Sequence, residues 1–183
     1  MTILHIDSSI NGENSASRLI SRSIVERIEA ERPGAELVYR DLAAEPLAHL
    51  TLDAFSDSSV LEEFMAADTI VIGAPMYNFT LPTQLKAWID RILIAGKTFR
   101  YTENGPEGLA GGKRVIIALA RGGFYDQGSP ASALEHLETY LRGIFNFIGI
   151  EPQFVIAEGL NISPEQRDKS ITLALGESVR LAA

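Results

Sequence analysis

Four consecutive side chains near the middle of the chain combine groups suited to holding a flat heteroaromatic molecule. They supply, in order, a thioether, a phenol, a carboxamide and an aromatic ring: Met76, Tyr77, Asn78 and Phe79. Aromatic rings stack on such a ligand, and an amide can donate and accept hydrogen bonds at its polar edge. From this segment alone, a purely structural interpretation, in which the aromatic rings only cover the core, stays open.

A second segment with chemical potential is the serine-rich loop at residues 7–15, which leads into a predicted helix. Its hydroxyl groups, with one more in the first turn of that helix, belong to Ser8, Ser9, Ser15 and Ser17. The N-terminus of a helix has unpaired N–H groups and a partial positive charge, so it binds phosphate. The alternative is that these hydroxyls only cap the helix and fill a turn. Because one cap needs one hydroxyl, the number of serines favours a mononucleotide phosphate without an attached metal.

A third segment, Ala120-Arg121-Gly122-Gly123, follows a predicted strand. Paired glycines let the backbone approach a ligand closely, and the charge of Arg121 would stabilise negative charge on a nearby ring. The structural alternative, with glycines for a turn and an arginine for the surface, remains equally open.

Motifs of several other enzyme classes are absent. The dinucleotide pattern G-x-G-x-x-G and the hydrolase pattern G-x-S-x-G do not occur. Gly96-Lys97-Thr98 imitates the end of a P-loop, but the first glycine of that motif is replaced by Arg91. His49 and His136 have no partners at metal-ligand spacing, so no metal site is predicted.

Composition excludes further classes. The net charge of −8 and the pI near 4.9 argue against binding to nucleic acid or to an anionic membrane surface. The absence of cysteine excludes disulfides and thiolate chemistry. No signal-peptide or membrane-spanning pattern is found, so a cytoplasmic protein is expected.

Strands and helices are predicted to alternate along the whole chain. The expected strands are residues 2–6, 36–40, 69–74, 113–119 and 153–158. The expected helices are residues 16–31, 60–66, 82–95, 131–148 and 163–181, with a long connection at 96–112. Ser163 should cap the last helix, with Pro164 at its first position.

This alternation predicts an α/β fold in one domain, residues 1–183. Parallel strands joined by right-handed helical crossovers form a three-layer, doubly wound, five-stranded sheet. A flavodoxin-like strand order, 2-1-3-4-5, would place the ligand where the strand order reverses, between the first and third strands. Two of the three chemically promising loops follow those two strands.

Seven segments together resemble the FMN-dependent NADH:quinone oxidoreductases, or azoreductases, over nearly the whole chain. These segments are Asp7–Ile10, Ser15–Ser17, Pro75–Phe79, Gln84–Lys86, Gly96–Tyr101, Asn104–Leu109 and Arg121–Gly123. The resemblance implies a flavodoxin-like homodimer with one non-covalent FMN per subunit. It implies that the cofactor is bound by Ser9, Ser15, Ala16, Ser17, Met76, Tyr77, Asn78, Phe79, Ala120, Arg121, Gly122 and Gly123.

The chain departs from the family pattern at two places. Ala120 stands where the family usually has serine, so one hydroxyl contact is lost. The region between Pro46 and Leu61 is shorter than expected, which affects the rim of the substrate pocket. By resemblance, Phe99, Tyr101 and Phe147 line that pocket, some of them across the dimer.

The resemblance implies hydride transfer from NADH or NADPH through FMN to a quinone or an aromatic azo compound, with ping-pong kinetics. No side chain need act as acid, base or nucleophile; catalysis would come from placing the reactants together, with N–H groups near Asn78 and Gly122 stabilising charge on the flavin. The alternatives are a flavodoxin-type single-electron carrier and an α/β binding module without flavin. The long 96–112 connection favours the enzyme, because a carrier needs an exposed flavin edge.

Overall fold

A five-stranded parallel sheet forms the centre of the computed structural model, which describes residues 1–182. The strands in chain order are β1 (Thr2–Asp7), β2 (Glu36–Asp41), β3 (Thr69–Pro75), β4 (Phe99–Thr102), β5 (Gly105–Gly108), β6 (Arg114–Ala120) and β7 (Gln153–Ala157). The sheet order is β2-β1-β3-β6-β7, and every pair in it is parallel. The predicted order 2-1-3-4-5 of the sheet strands is therefore confirmed. Ala183, the last residue of the predicted domain, lies outside the described residues.

Helices cover both faces of the sheet. They are α1 (Ala16–Glu31), α2 (Ser59–Ala66), α3 (Thr83–Ile92), α4 (Glu138–Phe147) and α5 (Pro164–Ala182). One core includes Phe64, Trp88 and Phe145, so α2, α3 and α4 pack on one face. The other core includes Ile20 and Ala174, which places α1 and α5 on the opposite face. β3 is buried along its whole length, as expected of an apolar strand in the middle of a parallel sheet.

Serine side chains cap two helices, at Ser15, as the structural alternative for the serine-rich loop held, and at Ser163, as predicted. The Ser15 hydroxyl accepts a hydrogen bond from the N–H of Arg18 at 3.3 Å, at the start of α1. The Ser163 hydroxyl accepts one from the N–H of Gln166 at 3.2 Å, and Pro164 is the first residue of α5. Of the helices in residues 1–182, none is both long enough and apolar enough to cross a membrane.

Two predictions of secondary structure were wrong. The 96–112 connection contains an antiparallel hairpin, β4–β5, in which Phe99 pairs with Gly108 and Thr102 with Gly105. The helix predicted at 131–148 is interrupted: a 3₁₀ turn at Ser132–Leu134 precedes α4, which begins at Glu138. The Glu135 carboxylate causes the later start, because it accepts hydrogen bonds from the N–H groups of residues 137, 138 and 139.

Candidate functional site

A cavity of about 160 Å³ lies at the carboxyl ends of β1, β3 and β6. The predicted site residues that line it are Ser9, Ser15, Ala16, Met76, Tyr77, Ala120, Arg121 and Gly122. The predicted residues outside its lining are Ser17, Asn78, Phe79 and Gly123. The three loops selected from the sequence thus meet at one edge of the sheet, as its topology requires.

The loop after β1 presents free hydrogen-bond donors to this cavity. The N–H groups of Ala16 and Ser17, in the first turn of α1, have no acceptor within residues 1–182. The Ser17 hydroxyl is fully buried and lies 3.1 Å from the Ser15 hydroxyl. Ser8 behaves differently, because its buried hydroxyl donates to the carbonyl of Gly73 at 2.7 Å. Ser8 therefore fills a structural position, as the alternative interpretation of the loop proposed.

Arg18 fixes the position of this loop. Its Nε and Nη2 atoms donate to the carbonyl oxygen of Ser9 at 3.1 and 2.7 Å. Nη1 and Nη2 each donate to the Asp41 carboxylate at 2.7 Å. The bond to Arg18 outweighs partial burial and, with two main-chain N–H bonds, lowers the pKa of Asp41. The loop is thus tied to β2 by a charged, bidentate contact.

The loop after β3 is a tight turn with an uncommon conformation. Tyr77 and Thr80 exchange main-chain hydrogen bonds of 2.9 and 3.1 Å. The two residues between them have positive φ angles, 48° at Asn78 and 71° at Phe79. This is the pattern of a type I′ turn, which sequences usually build with Asn-Gly. The N–H groups of Asn78 and Phe79 have no acceptor in the described part of the chain, so they can serve a ligand.

Tyr77 connects this turn to the serine-rich loop. Its hydroxyl lies 3.1 Å from the Ser9 hydroxyl and accepts a hydrogen bond from the N–H of Ile10 at 3.1 Å. The turn also contacts the segment before α4, because the ring of Phe79 packs edge-on against Tyr125 at 6.3 Å. One aromatic turn therefore holds two neighbouring loops in place.

The glycines after β6 lie close to neighbouring side chains. A Cβ atom on Gly122 would lie 2.5 Å from the Nδ2 atom of Asn161, and one on Gly123 would lie 3.3 Å from the ring of Tyr125. The carbonyls of Gly122 and Gly123 accept hydrogen bonds from Asn161 and Gly159, each at 2.9 Å. The N–H groups of both glycines have no acceptor in the described structure and remain available.

Arg121 has a different environment from the one predicted. Its guanidinium is buried and pairs with three carboxylates, those of Glu138 at 2.6 Å, Glu135 at 3.4 Å and Glu158 at 3.5 Å. Its charge is therefore balanced by the protein instead of being reserved for a ring. A larger cavity, about 850 Å³, begins at this cluster and shares Arg121 with the smaller one.

Sequence reasoning missed a fourth contribution to the site. The connection from β7 to α5 adds Leu160 and Asn161 to the cavity lining, and the first turns of α5 add Arg167. The available signal was topological, because β7 is parallel to the other strands and ends at the same edge. No group of His, Asp or Glu residues placed to hold a metal ion occurs within residues 1–182.

The order of the strands and the strand-end cavity define a flavodoxin-like protein. In agreement, a protein-family model described as "Flavodoxin-like fold" matches residues 1–181. The FMN-dependent NADH:quinone oxidoreductase 2 of Bradyrhizobium diazoefficiens is 52% identical to the chain over 201 aligned positions, which cover 100% of both proteins. The chain belongs to the family of FMN-dependent NADH:quinone oxidoreductases.

Solved structures agree with this assignment. An azoreductase from Bacillus anthracis str. Sterne superimposes with a TM-score of 0.90 and 28% identity, covering 100% of this chain and 98% of the other. A FMN-dependent NADH-azoreductase from Bacillus anthracis str. Ames Ancestor, solved in complex with FMN, gives a TM-score of 0.86 and 26% identity, with 100% of each chain covered.

Proposed function

We propose that the protein is an FMN-dependent oxidoreductase that transfers hydride from NADH to quinones, as a two-electron reduction, and to aromatic azo compounds. The observation that carries this proposal is the meeting of three loops at one cavity in a chain 52% identical to an FMN-dependent NADH:quinone oxidoreductase. Free N–H groups and hydroxyls at that cavity suit a phosphate and the polar edge of a ring. The comparisons support the enzyme over the single-electron carrier.

The groups available at the cavity fit FMN. Ser9, Ser15, Ala16 and Ser17 would bind its phosphate through hydroxyls and the first N–H groups of α1. The flavin ring would be held by Met76, Tyr77, Asn78, Phe79, Ala120, Arg121, Gly122 and Gly123. Arg121 lines the cavity, but its guanidinium pairs with carboxylates and its main-chain N–H donates to the carbonyl of Ala157, so it would contact the flavin without donating that N–H. When bound, FMN supplies the hydride chemistry.

The protein's own residues bind, orient and shield the reactants. The N–H groups of Asn78 and Gly122 supply fixed donors where negative charge develops. The rings of Phe79 and Tyr125 pack edge-on against each other beside this turn, so they offer an aromatic surface to a flat ligand. Donor and acceptor occupy the same site in turn, which gives ping-pong kinetics. No side chain of the site is assigned a role as acid, base or nucleophile.

The protein is proposed to act as a cytoplasmic homodimer. Large apolar side chains near the site remain exposed in the single chain, with Tyr101 74% and Phe79 42% accessible. Tyr101 lies on the β4–β5 hairpin beside Phe99, and Phe99 packs on Phe147 at 4.7 Å. A partner subunit would cover such a surface. Sedimentation at micromolar concentration should give twice the mass of the chain, 19.9 kDa; a single-chain mass would contradict the dimer.

Anaerobic titration tests the function directly. FMN-loaded protein should lose its yellow colour with one equivalent of NADH and regain it with one equivalent of a benzoquinone. NADPH is the matched comparison for the donor. Slow reduction by both nucleotides would favour the single-electron carrier, and failure to retain FMN would exclude both flavin functions.

A further inference from the structure

A half-buried arginine from the last helix reaches the phosphate end of the proposed FMN site. We propose that Arg167 is a further cofactor-binding residue, whose guanidinium pairs with the phosphate of FMN. This inference rests on the proposed function and adds a formal positive charge to a site that otherwise offers neutral donors. Nothing in the resemblance to the family pointed to this residue.

The position of Arg167 is fixed by a contact between distant parts of the chain. Its Nη2 atom donates to the carbonyl oxygen of Asn14 at 2.9 Å, across 153 residues of sequence. Asn14 closes the 3₁₀ turn just before the Ser15 cap of α1. Arg167 thereby lines the same cavity as Ser9, Ser15 and Ala16.

The charge of Arg167 is available, in contrast to those of its neighbours. Arg18 is held by Asp41, and Arg121 is held by three glutamates. No carboxylate within residues 1–182 forms an ion pair with Arg167, and its Nε and Nη1 atoms have no protein acceptor there. Among the described residues that line the cavity, Arg167 is the cation without a protein counter-charge.

Phosphate is the ligand that this arrangement suits. A guanidinium presents its donors in a planar fork that matches phosphate oxygens, and charge-assisted hydrogen bonds are stronger than neutral ones. The free N–H group of Ala16 lies at the same cavity, and the free N–H group of Ser17 follows it in the first turn of α1, at the positive end of that helix. A dianionic phosphate between α1 and Arg167 would balance the positive charge of the guanidinium. Its oxygens would accept hydrogen bonds from the guanidinium and from the free N–H groups of α1.

The test compares FMN with riboflavin, which has the same ring and no phosphate. Binding of both flavins to the apoprotein is measured by flavin fluorescence at low and high salt, for wild type, R167Q and R167K. The matched control is K169Q, which removes the same charge from an exposed position on the same helix. We expect R167Q to weaken FMN binding about 10- to 100-fold and to leave riboflavin within about twofold. R167K should be intermediate, and K169Q should change neither.

Each outcome separates this inference from the function on which it depends. Unchanged FMN affinity in R167Q, or equal loss of FMN and riboflavin binding, would overturn the role of Arg167 while leaving the flavin site intact. A wild-type protein that binds neither flavin would instead overturn the proposed function. If R167Q does not fold, R167K decides: its FMN affinity must fall relative to its riboflavin affinity, and wild-type affinity for both flavins would overturn the role of the Arg167 guanidinium.

Discussion

At the scale of single residues, the turn after β3 depends on two positions that few side chains tolerate. Asn78 and Phe79 both have positive φ, a region that costs most L-residues energy and that asparagine tolerates better. The conformation directs two unpaired N–H groups away from protein acceptors. The turn therefore keeps a strained backbone conformation at the two residues whose unpaired N–H groups can serve a ligand.

Replacing Asn78 should separate the role of its backbone from that of its carboxamide. Asn78→Ala and Asn78→Gly both remove the amide, but only alanine meets the steric cost of positive φ. We expect the alanine variant to be less stable than the glycine variant by about 1 kcal/mol. Urea denaturation of the two apoproteins measures this difference, and equal stabilities would contradict the strained turn.

The same pair of variants tests the function of the carboxamide. FMN affinity and the rate of flavin reduction by NADH should fall by a similar factor in both, because both lack the amide. If stopped-flow reduction and flavin affinity match the wild type in Asn78→Gly, the carboxamide has no role at the site.

At this scale, the sequence allowed predictions about the chemistry of side chains but not about the backbone conformation or the ion pairs around them. Tyr77 and Asn78 were predicted as ligand-binding groups from the chemistry of their side chains, and this stays a prediction; the structure places Tyr77 in the cavity lining and Asn78 outside it. The type I′ turn was not predicted, since Phe79 occupies the place where glycine is the usual signal. The ion cluster of Arg121 was also missed, because its carboxylates come from two segments distant from Arg121 in the sequence. Glu135 and Glu138 lie before or in the first turn of α4, and Glu158 lies after β7.

At the scale of elements, α1 links two strands through charged side chains. Asp7, at the end of β1, is buried and accepts hydrogen bonds from Ser21 at 2.8 Å and Tyr39 at 3.1 Å. Burial raises the pKa of Asp7, but His5, Ser21 and the charge of Arg18 more than offset this, so its pKa is lowered. Burial and the nearby carboxylates raise the pKa of Tyr39 to about 12.

The lowered pKa values of Asp7 and Asp41 predict that the protein loses stability in acid. A carboxylate whose pKa is lower in the folded state stabilises the fold above its unfolded pKa, and this contribution disappears as the pH falls through the folded pKa. Asp41→Asn should therefore be less stable than wild type at pH 7 by about 1–2 kcal/mol and should lose less between about pH 5 and pH 3. Urea denaturation across this range is the measurement.

The control for this experiment is Asp168→Asn. Asp168 is exposed and forms no ion pair in the part of the chain that the structure describes. This variant should follow the wild-type pH profile. If the pH profile of Asp41→Asn coincided with those of the wild type and of Asp168→Asn, the contact between Asp41 and Arg18 would contribute nothing measurable to the free energy of unfolding.

The β4–β5 hairpin is held against the end of α4 by close backbone packing. A Cβ atom on Gly108 would lie 2.1 Å from the main-chain nitrogen of Gly149 and 2.2 Å from the carbonyl carbon of Ile148. Gly108→Ala should therefore destabilise the protein by about 1–3 kcal/mol, because backbone atoms must move. Chemical denaturation of the apoprotein measures this loss.

Gly143 provides a comparison within the same region. It lies inside α4, where an added Cβ would meet no atom within 4 Å. Gly143→Ala should raise stability by roughly 0.5–1 kcal/mol through helix propensity. If the two alanine variants behaved alike, steric contact at Gly108 would not be the cause.

Elements with strong periodic patterns were predicted well, and those set by tertiary contacts were not. α1 was predicted at residues 16–31 and is found there, because its apolar spacing and its Ser15 cap are local signals. The hairpin was missed because its strands contain Gly105, Pro106 and Gly108, which are unfavourable in strands. Its stability comes from α4, which no local pattern of the hairpin reveals.

At the scale of the whole molecule, the cavity draws on the ends of four strands that pack through two separate cores. A ligand at this position contacts loops from all parts of the sheet, so it stabilises the fold as a unit. The sheet order was predictable from the alternation of elements. The contribution of α5 to the cavity was not predictable, because it depends on the contact of the Arg167 side chain with distant Asn14.

FMN should therefore raise the free energy of unfolding, by an amount that grows with the logarithm of the free FMN concentration once this exceeds the Kd. At a free FMN concentration 100 times the Kd, the free energy of unfolding should rise by about 2.7 kcal/mol, provided that the unfolded chain does not bind the cofactor. Urea denaturation at several FMN concentrations measures the increase. Transitions that stay at the same urea concentration would contradict binding to the native state.

The contact between Arg167 and Asn14 has a consequence for biosynthesis. The two residues are 153 positions apart, so the ribosome must release nearly all of the chain before the mouth of the cavity can close. On the proposed role of Arg167, the complete flavin site forms late, after the first three strands have been synthesised.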